Sequence, residues 1–122
     1  MNGNRFLADT NTLIYLLDKH PALRPLLESE WLFSFITEIE LLGKPGISSA
    51  EVNEVRGLLS VCIKAPHTEA INSTAINLKQ NYKMKVPDAI IAATAIEQKV
   101  PLLTFDKDFA KIKEVDLVLL EY

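Results

Sequence analysis

The chain has 122 residues, of which 48% are hydrophobic and 24% are charged, and its net charge at pH 7 is −3. This length is typical of one domain, so we predict a single domain over residues 1–122. The composition excludes a disordered or fibrous chain. The negative charge argues against a general nucleic-acid coat protein, which would be basic.

The sequence predicts a cytoplasmic location without a membrane partner. Residues 1–5 lack the apolar core of a signal peptide. The longest apolar run, residues 89–96, is too short to cross a bilayer. The one cysteine, Cys62, excludes an internal disulfide, and no Cys/His spacing is typical of a zinc site.

The first element is a short apolar strand, Phe6–Ala8, that runs directly into Asp9. Residues 10–12 are small and polar and can cap helix N–H groups, and a helix is expected over 12–19. Asp9 would therefore lie where the strand ends and the helix begins. In open α/β sheets, ligands bind outside the carboxyl ends of the strands, so Asp9 is either only a turn or cap residue or part of a site.

Five short apolar segments without strict alternation predict strands that are buried on both faces, as in a parallel sheet. Helical patterns lie between them. This order predicts a doubly wound α/β fold with four or five parallel strands, whose carboxyl ends share one edge. The predicted strands are Phe6–Ala8, Leu32–Phe35, Val61–Ile63, Leu102–Thr104 and Leu117–Leu120. The predicted helices cover 12–19, 25–29, 37–42, 48–59, 68–82 and 88–99, with a short one that holds Phe109 and Ile112.

Glu40 follows the second predicted strand, and two interpretations stay open for its side chain. The spacing from Thr37 to Glu40 is that of a capping box, in which Glu40 reaches back to the Thr37 backbone N–H. Alternatively, Glu40 turns inward at the same sheet edge as Asp9.

Asp88 lies in the first turn of a helix that is apolar nearly all round. Pro87 marks the start of this helix, where the helix dipole favours a negative charge. Because the following turns are apolar, the helix is predicted to be buried. Asp88 is therefore not expected to be a solvent-exposed charge without a role. We therefore expect a functional carboxylate here.

Asp106 and Asp108 follow the strand that ends at Thr104. We expect Asp106, which is nearer the strand end, to face the site and Asp108 to cap the short helix. The sequence leaves open which of the two is the fourth acid. Thr104 can add a hydroxyl to the same site.

Four carboxylates are thus predicted at one sheet edge, with no lysine or arginine in their motifs. Two carboxylates about 5 Å apart repel by roughly 3 kcal/mol at an effective dielectric near 20. Either several of them are protonated or a divalent cation lies among them. Oxygen ligands without cysteine or histidine suit Mg²⁺ or Mn²⁺, and such a site can hydrolyse a phosphodiester with one or two ions.

Four segments, in chain order, resemble the PIN-domain ribonucleases, and in particular the VapC-type toxins of VapBC toxin–antitoxin modules. The segments are Asp9-Thr10-Asn11, Thr37-x-x-Glu40-Leu41 with Gly43 soon after, Pro87-Asp88-Ala89-x-Ile91-Ala92-Ala93-Thr94-Ala95, and Leu103-Thr104-x-Asp106-x-Asp108-Phe109. Together they cover essentially the whole chain. No motif can be matched between residues 43 and 82.

The resemblance implies a PIN-like three-layer domain that cleaves single-stranded RNA with Mg²⁺ or Mn²⁺. It implies RNA as substrate, with transfer RNA among the candidates, a homodimer, and a VapB-type antitoxin that blocks the acidic groove. The carboxylates implied to be catalytic and metal-binding are Asp9, Glu40, Asp88 and Asp106, with Asn11 and Thr104 as supporting polar groups.

Other residues receive plainer interpretations. Cys62 is expected to be buried in a strand, and both histidines, His20 and His67, are expected on the surface or as caps. Trp31 and Leu32 serve either the core or a dimer interface. Three lysines near the motif loops are candidates for phosphate contacts, namely Lys83, Lys85 and Lys107.

Rival functions fit the sequence less well. An aspartyl-phosphate phosphotransferase needs a second aspartate where this chain has Asn11. A receiver domain needs a phosphorylatable aspartate after the third strand, and this chain offers none there. A PIN fold that has lost catalysis and serves as a binding module stays open, although all four acids are present.

Overall fold

The structure, a computed structural model, describes residues 4–122. Residues 1–3, which belong to the segment tested above for a signal peptide and to the domain predicted over 1–122, lie outside the described residues. The strands are β1 (Arg5–Ala8), β2 (Glu30–Ser34), β3 (Ile63–Ala65), β4 (Leu102–Thr104) and β5 (Leu117–Leu119). The helices are α1 (Thr10–Leu17), α2 (Phe35–Leu42), α3 (Ser49–Ser60), α4 (Glu69–Asn81) and α5 (Val86–Gln98). Two short 3₁₀ helices cover Pro21–Leu26 and Lys107–Lys111.

The five strands form one parallel sheet in the order β3-β2-β1-β4-β5. The chain starts in the middle of the sheet, builds outward through β2 and β3, and then returns to the other side of β1 with β4 and β5. The two halves therefore diverge from β1, and the carboxyl ends of β1, β2 and β4 lie side by side. The predicted parallel α/β fold is confirmed.

Alternating residues of the central strands pack into two hydrophobic clusters, one on each face of the sheet. On one face, Leu7, Leu32 and Leu102 pack with the buried sides of α4 and α5. On the other face, Phe6 and Leu103 belong to a cluster with residues of α1, α2 and α3. Helices on both faces explain why the strands are apolar without alternation.

Several predicted boundaries were wrong, for local reasons. The third strand is Ile63–Ala65 rather than 61–63, because α3 continues to Ser60 and Val61 is its C-cap. Cys62 is consequently half-buried in a bend before the strand, and burial raises the pKa of its thiol. The short helix expected over 25–29 is the 3₁₀ helix Pro21–Leu26, which begins early because the His20 side chain accepts a hydrogen bond from the Ala22 N–H.

Trp31 and Leu32 belong to the core, and not to the dimer interface that the sequence left open as the alternative. Trp31 is 6% exposed, stacks edge-on against Phe6 with ring centroids 4.7 Å apart, and donates its indole N–H to the Leu26 carbonyl. Leu32 is 1% exposed. Within residues 4–122, no helix is long and apolar enough to cross a membrane.

Candidate active site

Asp9 is a buried carboxylate held by three hydrogen bonds. It follows β1 and is the N-cap of α1, with an extended backbone (φ −74°, ψ 171°). Its Oδ1 accepts from the Thr12 backbone N–H at 2.9 Å and from the Thr12 hydroxyl at 2.6 Å, while its Oδ2 accepts from the Thr104 hydroxyl at 2.6 Å. The cap is therefore Asp9, one of the roles that the sequence left open for it, and not one of residues 10–12. Capping and a fixed orientation at the sheet edge are compatible roles for this side chain.

Glu40 turns towards α1, and the capping-box interpretation was wrong. Helix α2 begins at Phe35 with Ser34 as N-cap, so Thr37 lies inside the helix and is completely buried. The Glu40 carboxylate accepts from the Thr10 hydroxyl at 2.6 Å. The Thr37 hydroxyl lies 3.0 Å from the Thr10 hydroxyl. Because the single Thr10 proton goes to Glu40, Thr37 is the donor in that second pair.

Asp106, and not Asp108, caps the 3₁₀ helix that follows β4. The Asp106 side chain accepts from the Asp108 backbone N–H at 2.9 Å, so the prediction that Asp108 is the cap was wrong. The Asp106 backbone N–H donates to the Thr104 hydroxyl at 2.9 Å, and that hydroxyl donates to Asp9. One threonine therefore fixes the positions of Asp9 and the Asp106 turn together.

Asp88 is the half-buried carboxylate of the first turn of α5, as expected. Burial is the largest cause that raises its pKa above the ordinary value. The negative charges of Asp106, Glu40 and Asp9 raise this pKa further, in that order, and the nearby Lys85 opposes them. The four acids therefore face one another across the carboxyl edge of the sheet, close enough for their charges to interact.

Two clefts flank these acids and adjoin at Asp106. The first, of about 390 Å³, is called the lysine cleft here, and the residues that line it include Lys83, Lys85, Lys111, Asp88, Asp106 and Asp108. The second, of about 380 Å³, is called the aromatic cleft, and the residues that line it include Asp9, Asn11, Tyr15, Phe105, Asp106 and Tyr122. Asn11 is exposed in the second cleft, beside Asp9.

The donor set fits a hard divalent cation in kind, because it consists of carboxylate oxygens. The described ion pairs, Arg5–Glu30, Lys44–Glu51 and Lys64–Glu38, leave all four acids out. Within residues 4–122, however, no three His, Cys, Asp or Glu side chains are already close enough to hold one ion together. Glu40 and Asp106 are exposed, so their side chains have room to turn inward towards Asp9 and Asp88.

The sequence interpretation missed the threonine network of the site. Thr10 and Thr12 donate to acids, and Thr37 bonds to Thr10, whereas the sequence interpretation gave these three threonines capping roles only. The signal for Thr12 was present, since an aspartate three residues before a threonine N–H is a capping spacing. Thr37 gave no signal, because its partner lies 27 residues away in the chain.

Fold and site together define a parallel α/β domain with carboxylates from four elements at one sheet edge. The PIN domain family model matches residues 6–115 of the chain. The chain belongs to the PIN domain family, and the resemblance drawn from its motifs is confirmed. A search of curated proteins gave no match.

Solved structures similar to this chain include toxin–antitoxin complexes. A chain of a toxin–antitoxin complex from Klebsiella pneumoniae is 32% identical, with a TM-score of 0.77, and the match covers 93% of this chain and 95% of that chain. VapBC-1 from nontypeable Haemophilus influenzae is 22% identical, with a TM-score of 0.80 and coverage of 94% and 97%. VapBC2 from Rickettsia felis, bound to a DNA fragment from its promoter, is 21% identical, with a TM-score of 0.75 and coverage of 96% and 99%.

Proposed function

We propose that the chain is a divalent-metal-dependent endoribonuclease and the toxin of a toxin–antitoxin pair. The observation that carries the proposal is the gathering of four carboxylates at one sheet edge, where Asp106, Glu40 and Asp9 add to burial in raising the pKa of Asp88. Lys85 opposes these negative charges only in part, so the four carboxylates repel one another as long as no cation is bound. A bound cation removes the repulsion and makes the arrangement useful.

Asp9 and Asp88 are the proposed principal ligands for Mg²⁺ or Mn²⁺, with Glu40 and Asp106 as further ligands or proton acceptors. When bound, such an ion lowers the pKa of a neighbouring water molecule, and its positive charge stabilises the negative phosphate oxygens. Thr12 and Thr104 hold Asp9 in one orientation, so that little reorganisation is needed when the substrate arrives. The Thr10 hydroxyl donates to the Glu40 carboxylate, which has to turn inward from this position to share an ion with Asp9 and Asp88.

The proposed reaction is in-line hydrolysis of an RNA phosphodiester. Water attacks phosphorus, the bond from phosphorus to the 3′ oxygen breaks, and the products carry a 5′-phosphate and a 3′-hydroxyl. Glu40 or Asp106 accepts the proton that the water loses, since both carboxylates are exposed to solvent. A 2′,3′-cyclic phosphate end would contradict this chemistry.

The lysine cleft gives the substrate backbone a place beside the acids. Lys83, Lys85 and Lys111 line this cleft together with Asp88 and Asp106. Lysines that contact phosphates supply affinity and register without reading sequence. We therefore place the phosphates next to the scissile bond in this cleft.

The first test is cleavage of total RNA and transfer RNA by the purified chain with Mg²⁺ or Mn²⁺, with EDTA as control. Helix α2 offers a matched pair of variants: Glu40→Gln should abolish cleavage, whereas Glu38→Gln should not. Glu38 lies on the same helix and pairs with Lys64 at 2.9 Å, outside the acidic site. Asp106→Asn against Asp108→Asn decides which residue is the fourth acid.

Metal binding is tested separately from cleavage by thermal unfolding. A ligand that binds only the folded state stabilises it by about 2.7 kcal/mol at a concentration one hundred times its Kd. Millimolar Mn²⁺ should raise the Tm of the wild type, and the rise should shrink in Asp88→Asn. If neither a shift nor cleavage is found, the binding-module alternative is favoured.

We further propose a VapB-type antitoxin partner, a homodimer and a cytoplasmic site of action. The toxin–antitoxin complex from Klebsiella pneumoniae, which is 32% identical to this chain, supports the partner. Size-exclusion chromatography with light scattering tests the dimer. Co-expression with the product of an adjacent small gene tests the antitoxin, which should suppress cleavage when it binds.

A further inference from the structure

Four aromatic rings from distant parts of the chain meet beside the acidic site. Phe105 contacts Tyr15 and His20 with ring centroids 4.7 and 5.0 Å apart. Tyr122 lies over Phe105 at 5.3 Å, with the ring planes inclined by 34°. Tyr122 also meets Tyr15 edge-on at 5.4 Å, and the two hydroxyls are hydrogen-bonded. The outermost ring is thus held by three others.

Tyr122 contacts the other rings but is hardly buried. Its exposed fraction is 82%, whereas Phe105 beneath it is 9% exposed. Closing over Phe105 therefore leaves most of the tyrosine surface open to solvent. Three of the rings, those of Tyr15, Phe105 and Tyr122, line the same cleft as Asp9 and Asp106. An open aromatic surface beside reacting groups is a feature of recognition sites.

We propose that the aromatic cleft binds one unpaired nucleobase of the RNA, which stacks on Tyr122 next to the scissile phosphodiester. This subsite rests on the proposed ribonuclease function, and it specifies on which side of the acidic site a base is bound. Stacking suits any base, so the subsite selects single-stranded RNA rather than a particular sequence. Because the neighbouring rings already hold Tyr122, little side-chain freedom is lost when a base stacks on it.

The other groups of the cleft favour a nucleotide over a cationic side chain. Lys107 lines the aromatic cleft together with the exposed amide of Asn11. Asp9 and Asp106 line the cleft as well, and the divalent cation of the proposed function would neutralise them, which leaves Lys107 to attract a phosphate and repel an arginine. An amide can pair with a base edge. The cleft volume of about 380 Å³ lies within the range of about 300–1,000 Å³ typical of small-ligand sites. The adjoining lysine cleft continues the path for the backbone on the far side of Asp106.

The test measures binding apart from cleavage, in a parent chain that carries Asp88→Asn so that the RNA stays intact. The probe is a fluorescent single-stranded RNA of eight nucleotides, and the readout is the Kd from anisotropy. Tyr122→Ala should weaken binding roughly tenfold, because it removes the stacking surface. Tyr122→Phe should stay within about twofold, since it keeps the ring. Val61→Ala, a change at a 79% exposed side chain before β3, at the other sheet edge, is the surface control.

A second set of probes identifies the contact as one with a base. Each of eight RNAs lacks the base at one position. At one of these positions, the losses of binding free energy caused by the missing base and by Tyr122→Ala should not be additive, because both changes remove the same contact. If Tyr122→Ala binds the intact RNA as tightly as the parent, or if the losses add at every position, the subsite is overturned while the ribonuclease function stands.

Two further outcomes would also overturn the subsite. If the ring change weakens binding of N-acetyl-arginine amide but not of RNA, the cleft is a site for a cationic side chain. If the parent binds no RNA and the wild type cleaves none, the proposed function fails together with the subsite.

Discussion

Thr104→Val removes one hydroxyl from the interior of the site and keeps the shape of the side chain. Thr104 is completely buried, donates to the Asp9 carboxylate at 2.6 Å and accepts from the Asp106 backbone N–H at 2.9 Å. A hydrogen bond to a charged group contributes about 1.5–3 kcal/mol, and the orphaned N–H adds about 1 kcal/mol. We expect the free energy of unfolding to fall by about 2–4 kcal/mol, a large share of the stability of a domain of this size.

The assay is urea unfolding in EDTA, followed by circular dichroism. The matched control is Thr94→Val, because the hydroxyl of Thr94 is also buried but donates to the Ile90 carbonyl one turn back in α5. That carbonyl keeps its backbone hydrogen bond, so the control should lose less than about 1 kcal/mol. The kcat/KM for RNA should fall in Thr104→Val and not in Thr94→Val. Equal losses of stability in the two variants would refute the argument that Thr104 holds the acidic site together.

Two other predictions concern charge and backbone packing. Burial and the neighbouring acids raise the pKa of Asp88, so its contribution to the stability of the metal-free chain is fully present below its ordinary pKa and is lost as the pH rises through the raised value. Asp88→Asn should therefore stabilise the metal-free chain at pH 7 and should abolish cleavage; unchanged urea midpoints of the wild type from pH 4 to 8 would contradict this. Gly43→Ala should destabilise the chain, because its Cβ would lie 2.5 Å from the Ile39 carbonyl oxygen, whereas Gly57→Ala inside α3 meets no atom within 4 Å and should stabilise by roughly 0.5–1 kcal/mol. Thermal unfolding that gave both glycine variants the same sign would count against this reasoning.

Much of the fold could be predicted because its elements carry local signals. The capping box of Ser48 and Glu51 is present in the structure, with both hydrogen bonds formed. The helix predicted over 68–82 is observed as α4, with its buried residues Ile71, Ala75 and Leu78 at helical spacing. The strand 102–104 was predicted with its observed bounds. Boundaries failed where a neighbouring cap competed, as at Ser34, which starts α2 before Thr37.

The order and spacing of the acidic motifs, read from the sequence alone, were enough to place Asp9, Glu40, Asp88 and Asp106 at one edge of a parallel sheet. Asp9 and Asp106 follow strands, Asp88 opens a helix, and Glu40 lies on the helix that follows β2. Crossover handedness brings these segments to one edge. The tertiary structure decided which atoms hold them. Thr104 reaches Asp9 across 95 residues, and Thr10 reaches Glu40 across 30. The aromatic cleft likewise joins residues from the first and the last part of the chain. Such contacts depend on the register of neighbouring strands and on helix packing, which no local pattern of residues encodes.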